Sequence, residues 1–193
     1  MTEKKYDVIH IGEANHDVRL PDVPEEFFSG RFETCLYGRA SDGCGGDALN
    51  QAICLTSLGD HSAFYGRLRN GYPGTRLKSL LEELGVDTSL TILADDCVTP
   101  DIVVHILKDG THRFLVGERE NWGLKKEEID PGILQSAKVL AIGSLFVLDT
   151  LDHDGLEDVL RICRAGGVTV AADMTFDIRG LGPRHYDSRF RCM

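Results

Sequence analysis

No stretch of the 193 residues is apolar for long enough to cross a membrane, and the opening Met1-Thr2-Glu3-Lys4-Lys5-Tyr6-Asp7 lacks the apolar core of a leader peptide. The expected location is therefore the cytosol, with no membrane partner. Basic residues are few: 21 Lys and Arg stand against 31 Asp and Glu, a formal net charge of −10. That balance disfavours nucleic acid, whose phosphate backbone calls for a clustered basic surface. It says little about a nucleotide, which needs only a few local donors. The six cysteines (Cys35, Cys44, Cys54, Cys97, Cys163 and Cys192) form no C-x-x-C pair and recur at no fixed interval. This argues against a zinc site or a disulfide framework and leaves reduced, mostly buried thiols. The seven histidines show no H-x-x-x-H spacing, and His10, inside an apolar run, reads as packing. Internal repeats and low-complexity tracts are missing too. What is present is an ordinary soluble composition, 42% hydrophobic and 27% charged, in a length suited to one domain with at most a small excursion.

The most informative segment is Gly43-Cys44-Gly45-Gly46-Asp47, which opens directly into an amphipathic helix ending at Leu58-Gly59. Two adjacent glycines let a ligand approach the backbone without a Cβ in the way, and the first helical turn presents free N–H groups. Asp47 and Asn50, three apart, look the same way, while Leu49, Ala52, Ile53 and residues 55–58 supply an apolar anchor. Upstream, the apolar run Val8-Ile9-His10-Ile11 leads into Gly12-Glu13-Ala14-Asn15-His16-Asp17. A strand ending there delivers Asn15 and Asp17 to the carboxyl edge of a sheet, where open α/β sheets bind ligands. Asp17 accepts from two hydroxyls and the two asparagines both donate and accept, a mixture suited to a polyol.

These two segments, in this order and spacing, resemble the ribokinase-like sugar kinases of the PfkB family, with their Gly-x-x-Asn-x-Asp turn and Gly-Gly-x-x-x-Asn-x-Ala helix. Gly12, Asn15 and Asp17 match the first motif; Gly45, Gly46, Asn50 and Ala52 match the second. Thr99-Pro100-Asp101 before an alternating run and Asp109-Gly110 is a weaker third match, and the resemblance covers residues 6–177. It implies that Asn15, Asp17, Gly45, Gly46, Asp47 and Asn50 hold a small sugar or sugar acid. ATP would be the phosphoryl donor, with Mg²⁺. The family's catalytic Gly-Ala-Gly-Asp loop, whose aspartate is the general base, has no counterpart after Asp173 and is expected beyond Met193. Residues 173–177 stand where relatives show Asp-Pro-Asn-x-Arg; Asp173 is retained and Thr175 takes the Asn place, so both are candidates for the metal-water or phosphate side. Asp177, at the Arg place, would oppose a phosphate.

Periodicity predicts strands over residues 6–11, 61–65, 90–93, 138–142 and 168–172, and helices over 47–58, 73–84 and 156–164. Edge strands are predicted over 18–23 and 31–37, and a hairpin over 101–107 and 111–116 around Lys108-Asp109-Gly110. The expected fold is a doubly wound, mostly parallel α/β sheet of ribokinase-like type, with a small β lid built from 18–37 and 101–116. All of 1–193 would form the amino-terminal part of one such domain. Residues 179–193 read as a loop and the start of a helix, as if the chain were cut short, and the lid edges offer a route to a homodimer. Arg113 and Asn121, at the hairpin and its exit, are lid candidates for substrate contact. The bland alternatives are turn capping for Asn15, Asp17 and Asp173, a solvated helix face for Asn50 and surface charge for Arg113. Two rival functions stand beside the sugar kinase: a non-catalytic sugar-binding or regulatory module, and a nucleoside kinase in which Phe27, Phe28, Phe32 or Tyr37 stacks on a base.

Overall fold

The structure, a computed structural model, describes residues 4–117, 122–145, 147, 148, 151, 154–175 and 180. Expectations for Asn121 and for residues 176–179 and 181–193 lie outside the described residues. In chain order the elements are β1 (Tyr6–Gly12), β2 (Asn15–Val23), β3 (Ser41–Gly45), α1 (Asp47–Ser57), β4 (Ser62–Phe64), β5 (Arg67–Arg69), α2 (Gly74–Glu83), β6 (Ile92–Ala94), β7 (Asp101–Leu107), β8 (His112–Val116), α3 (Pro131–Gln135), β9 (Ala137–Leu145), α4 (Asp154–Ala165) and β10 (Thr169–Met174).

The main sheet has the order β10-β9-β1-β4, every pair parallel, with Ile9 beside Leu140 and Gly12 beside Gly143. Parallel strands covered on both faces need apolar residues on both, which is why β1 and β9 read as continuous apolar runs. Ile9, Ile11, Leu140 and Ile142 join a core with Leu156, Val159, Leu160 and Cys163 of α4. Those four α4 positions repeat at helical spacing, and each fully buried Leu or Val contributes roughly 1.5–3 kcal/mol. Leu49 and Ala52 of α1, with Phe64, Leu68 and the α2 residues Leu77 and Leu81, form a second core. Neighbouring residues of β4, Ala63 and Phe64, fall in different cores, so the sheet is wound on both faces.

A second sheet, ordered β3-β2-β7-β8, holds the strands over 18–23 and 101–116 expected to form the lid. The predicted hairpin is present: Gly110 turns with φ 85° and the Asp109 carboxylate accepts from the Thr111 amide at 2.8 Å. Two expectations are corrected. The edge strand expected over 18–23 begins at Asn15, so Asn15 and Asp17 lie within β2, and residues 31–37 form no strand; β2 pairs with β3 on one side and β7 on the other. The sequence Ser-Asp-Gly-Cys-Gly has poor strand propensity, but it pairs residue for residue with Asn15 to Arg19, and its glycines leave room for side chains lying across it. The short pair β5–β6 extends the fold beside the second core; three-residue strands carry too little pattern for β5 to be read from sequence. Among the described residues no helix is long and apolar enough to cross a membrane.

Candidate functional site

At the carboxyl ends of β1 and β9 the backbones come together without Cβ atoms between them. A Cβ at Gly12, where φ is 139°, would stand 2.1 Å from the Gly143 carbonyl oxygen; one at Gly143 would stand 2.6 Å from the Ala48 amide nitrogen of α1. Gly46 caps α1 with φ 89°, and a Cβ there would meet the Glu13 carbonyl oxygen at 2.4 Å. The close packing brings the start of β2 against the start of α1, and the predicted site residues arrive on these two elements.

From β2, Asn15 is buried and its Oδ1 has no hydrogen-bond partner. Asp17 is two residues on and on the same face; burial raises its carboxyl above the usual range, Arg19 opposes that shift and Glu13 adds to it. Asp17 lies flat over Gly45: a Cβ there would be 2.2–2.4 Å from its carboxylate atoms. Arg19 crosses Gly43 in the same manner, donating to the Cys44 carbonyl at 3.2 Å, with Nη2 3.8 Å from the Asp17 carboxylate. From α1, Asp47 stands in the first turn and Asn50 one turn on, exposed. Asp47 accepts from the Ser144 hydroxyl, which also lies 2.9 Å from Glu13 Oε2. The starts of β2 and α1 thus carry carboxylates, two side-chain amides and the amide N–H groups of a helix start, a set that hydrogen-bonds hydroxyls in both directions.

Other candidates are placed elsewhere. Arg113 pairs with His105, one residue out of phase with Val104 and Phe114, so it lies on the opposite lid face from Asp17 and does not join the site. Asp173 lies within β10 and Thr175 directly follows it, and β9 separates that strand from β1; the Asp173 carboxylate accepts from the Met174 amide at 2.8 Å. Among the described residues no group of three or more His, Cys, Asp and Glu is arranged to hold a metal ion. Burial pushes the Cys44 thiol upward and Cys163 to about 11, which keeps both protonated.

Sequence reading missed three participants. Glu13 and Ser144 carry no motif signal, and His16 sits on the reverse face of β2 in a network of its own. The His16 ring is buried, with Nδ1 2.7 Å from Asp101 and Nε2 3.4 Å from Asp42 and 3.2 Å from the Tyr72 hydroxyl. These partners are 85, 26 and 56 residues away, a separation that local pattern cannot bridge.

Residues 6–178 match the model of the pfkB family of carbohydrate kinases. The chain belongs to that family. Among pfkB relatives, the 5-dehydro-2-deoxygluconokinase of Shouchella clausii is 24% identical over 176 residues, covering 90% of this chain and 52% of that one. Probable fructokinase-5 of Arabidopsis thaliana is 24% identical over 131 residues, covering 67% of this chain and 40% of the relative. A fructokinase from Xylella fastidiosa, solved with bound ATP, superposes with a TM-score of 0.72 at 21% identity, covering 96% of this chain and 54% of that one. The ribokinase of Arabidopsis thaliana, complexed with ribose and ATP, gives 0.68 at 21% identity, covering 88% and 53%. The ribokinase-like fold is thereby shown. The chain spans about half the length of these pfkB relatives.

Proposed function

We propose that this chain forms the acceptor-binding side of an ATP-dependent carbohydrate kinase acting on a small sugar or sugar acid. The observation that carries the reading is the meeting of Asn15 and Asp17 on β2 with Gly46, Asp47 and Asn50 on α1, at the carboxyl ends of β1 and β9. Asp17 accepts hydrogen bonds from two adjacent hydroxyls; Asn15 Oδ1, buried without a partner, accepts a third. The lid face bearing them, with Val104 and Phe114 in register with Arg19, closes over the sugar and excludes water. Relatives named for fructose, ribose and 5-dehydro-2-deoxygluconate set the range of acceptors to test.

ATP is the proposed phosphoryl donor and Mg²⁺ its companion by family membership. The sequence holds no Gly-Ala-Gly-Asp loop, so the reading assigns proton removal from the acceptor hydroxyl to a segment outside these 193 residues. The expected result is saturable sugar binding by the chain without ATP turnover, in the cytosol, as a monomer or as a dimer formed through lid edges. Calorimetric titration with D-fructose, D-ribose and 5-dehydro-2-deoxy-D-gluconate, followed by an ADP-release assay, tests this. Sugar-dependent ADP release by the purified chain contradicts the assignment of the base. Binding without turnover in any longer form of the protein would favour the sugar-binding module.

A nucleoside acceptor is the second reading. Phe28 packs edge-on against His105 at 5.2 Å, on the lid face away from Asp17, and Phe27 packs on Phe28. Phe114 is an exposed aromatic on the Asp17 face and joins the exposed Phe32 and Tyr37 as a candidate for stacking on a base. Tighter binding of adenosine than of any sugar, lost in Phe114→Ala, decides for this reading.

A further inference from the structure

The proposed acceptor site has two halves on separate elements, Asn15 and Asp17 on β2 and Asp47 and Asn50 on α1, and one hydroxyl reaches the base of both. We infer that Ser144 is a positioning residue of the acceptor site, an assignment that rests on the sugar-binding reading and deepens it. Ser144 is fully buried at the end of β9, and its Oγ lies 2.9 Å from Glu13 Oε2 and within hydrogen-bonding reach of Asp47 Oδ2. Glu13 is two residues before Asn15 and four before Asp17; Asp47 is one helical turn before Asn50. The hydroxyl therefore ties the entry of β2 to the first turn of α1 at the point where the sugar would bridge them.

The backbone shows what holding the hydroxyl there involves. Ser144 has φ 66°, a conformation that costs a side-chain-bearing residue of order 1 kcal/mol and that glycine adopts freely. A residue serving only to continue the chain at this φ would be better as glycine. The retained side chain places one donor between two carboxylates that otherwise repel each other across the junction of three elements. With the hydroxyl gone, Glu13 and Asp47 separate, and the β2 and α1 halves lose the spacing that lets one sugar contact both. Ser144 itself makes no contact with the sugar in this account.

The test uses Ser144→Gly, which removes the hydroxyl while suiting the positive φ, beside Ser144→Ala, which removes it and keeps the strain. Thermal unfolding and calorimetric titration with D-fructose and with 5-dehydro-2-deoxy-D-gluconate are run on wild type and both variants. The expected result is a Ser144→Gly protein with a midpoint at or above that of Ser144→Ala but with sugar affinity reduced roughly 5–10-fold in both, the equivalent of one hydrogen bond. A purely structural role moves the midpoints and leaves the dissociation constants alone. Wild-type affinity in Ser144→Gly overturns the inference and leaves the acceptor site standing. Failure of wild type itself to bind either sugar or any other acceptor removes the acceptor site and this inference together.

Discussion

The Asp17 carboxylate occupies the space in which a β-carbon at Gly45 would stand, so the glycine pair yields volume to the proposed site as well as turning the chain. The sequence motif announced both residues without showing that one lies on the other, because their contact depends on β3 pairing with β2. Asp17 also has its carboxyl raised by burial, so the folded state disfavours its ionised form. A carboxylate with a raised folded pKa contributes stability at low pH that is lost as pH rises through that pKa. Asp17→Asn is therefore expected to be as stable as wild type or more stable at pH 7, while losing sugar affinity by about tenfold or more through one charge-assisted acceptor. Urea unfolding and titration with the same sugar separate the two effects. Equal affinity in the variant would remove Asp17 from the site.

At the scale of elements, β1, α1, α4 and the β7–β8 hairpin were legible because each carries its own pattern: a buried run, an apolar face behind glycines, four apolar positions at helical spacing, an Asp-Gly turn. Strand β3 was not, since Ser-Asp-Gly-Cys-Gly becomes a strand through its partner rather than its propensity. The alternation that gave the hairpin also fixed its faces, but register was needed to show that Arg113 points away from Asp17. The lid's attachment was equally invisible. His16 on β2 joins Asp42 near β3's start and Asp101 at the start of β7, and Tyr72, before α2, reaches the same ring edge-on at 5.3 Å. His16→Ala is expected to destabilise the chain by about 1–3 kcal/mol and to speed amide exchange in β2, β3 and β7 more than in β1 or β9. Uniform exchange changes across both sheets would contradict a role confined to the lid.

At the scale of the whole molecule, the two cores cover opposite faces of the main sheet unequally. β10 stands at the end of the strand order with Ala171, Ala172 and Met174 exposed, and a groove of about 530 Å³ lined by Val8, Cys54, Leu55, Ala141 and Ala171 runs beside it. His10 lies beneath this groove with no exposure, and burial pushes it down from 6.5 to about 4. A histidine depressed in the folded state contributes stability that is intact above its unfolded pKa and is lost as pH falls through the folded one. Stability should accordingly hold above pH ~6.5 and decline toward pH ~4 by on the order of 3 kcal/mol, with the decline reduced in His10→Gln. Urea midpoints across that range provide the check, and an unchanged slope in the variant would show that other groups govern it.

In the proposed site β2 and α1 together hold a sugar. The most direct test is the thermal unfolding midpoint of this chain with and without D-fructose, D-ribose or 5-dehydro-2-deoxy-D-gluconate, measured beside Asp17→Asn. A sugar at about 100 times its dissociation constant stabilises the folded state by about 2.7 kcal/mol, which for a chain of this size raises the midpoint by roughly 5–10 °C. That rise is expected in wild type, and its loss in Asp17→Asn at the same sugar concentration. A cooperative transition at one midpoint with every sugar, or an equal rise in the variant, would contradict it.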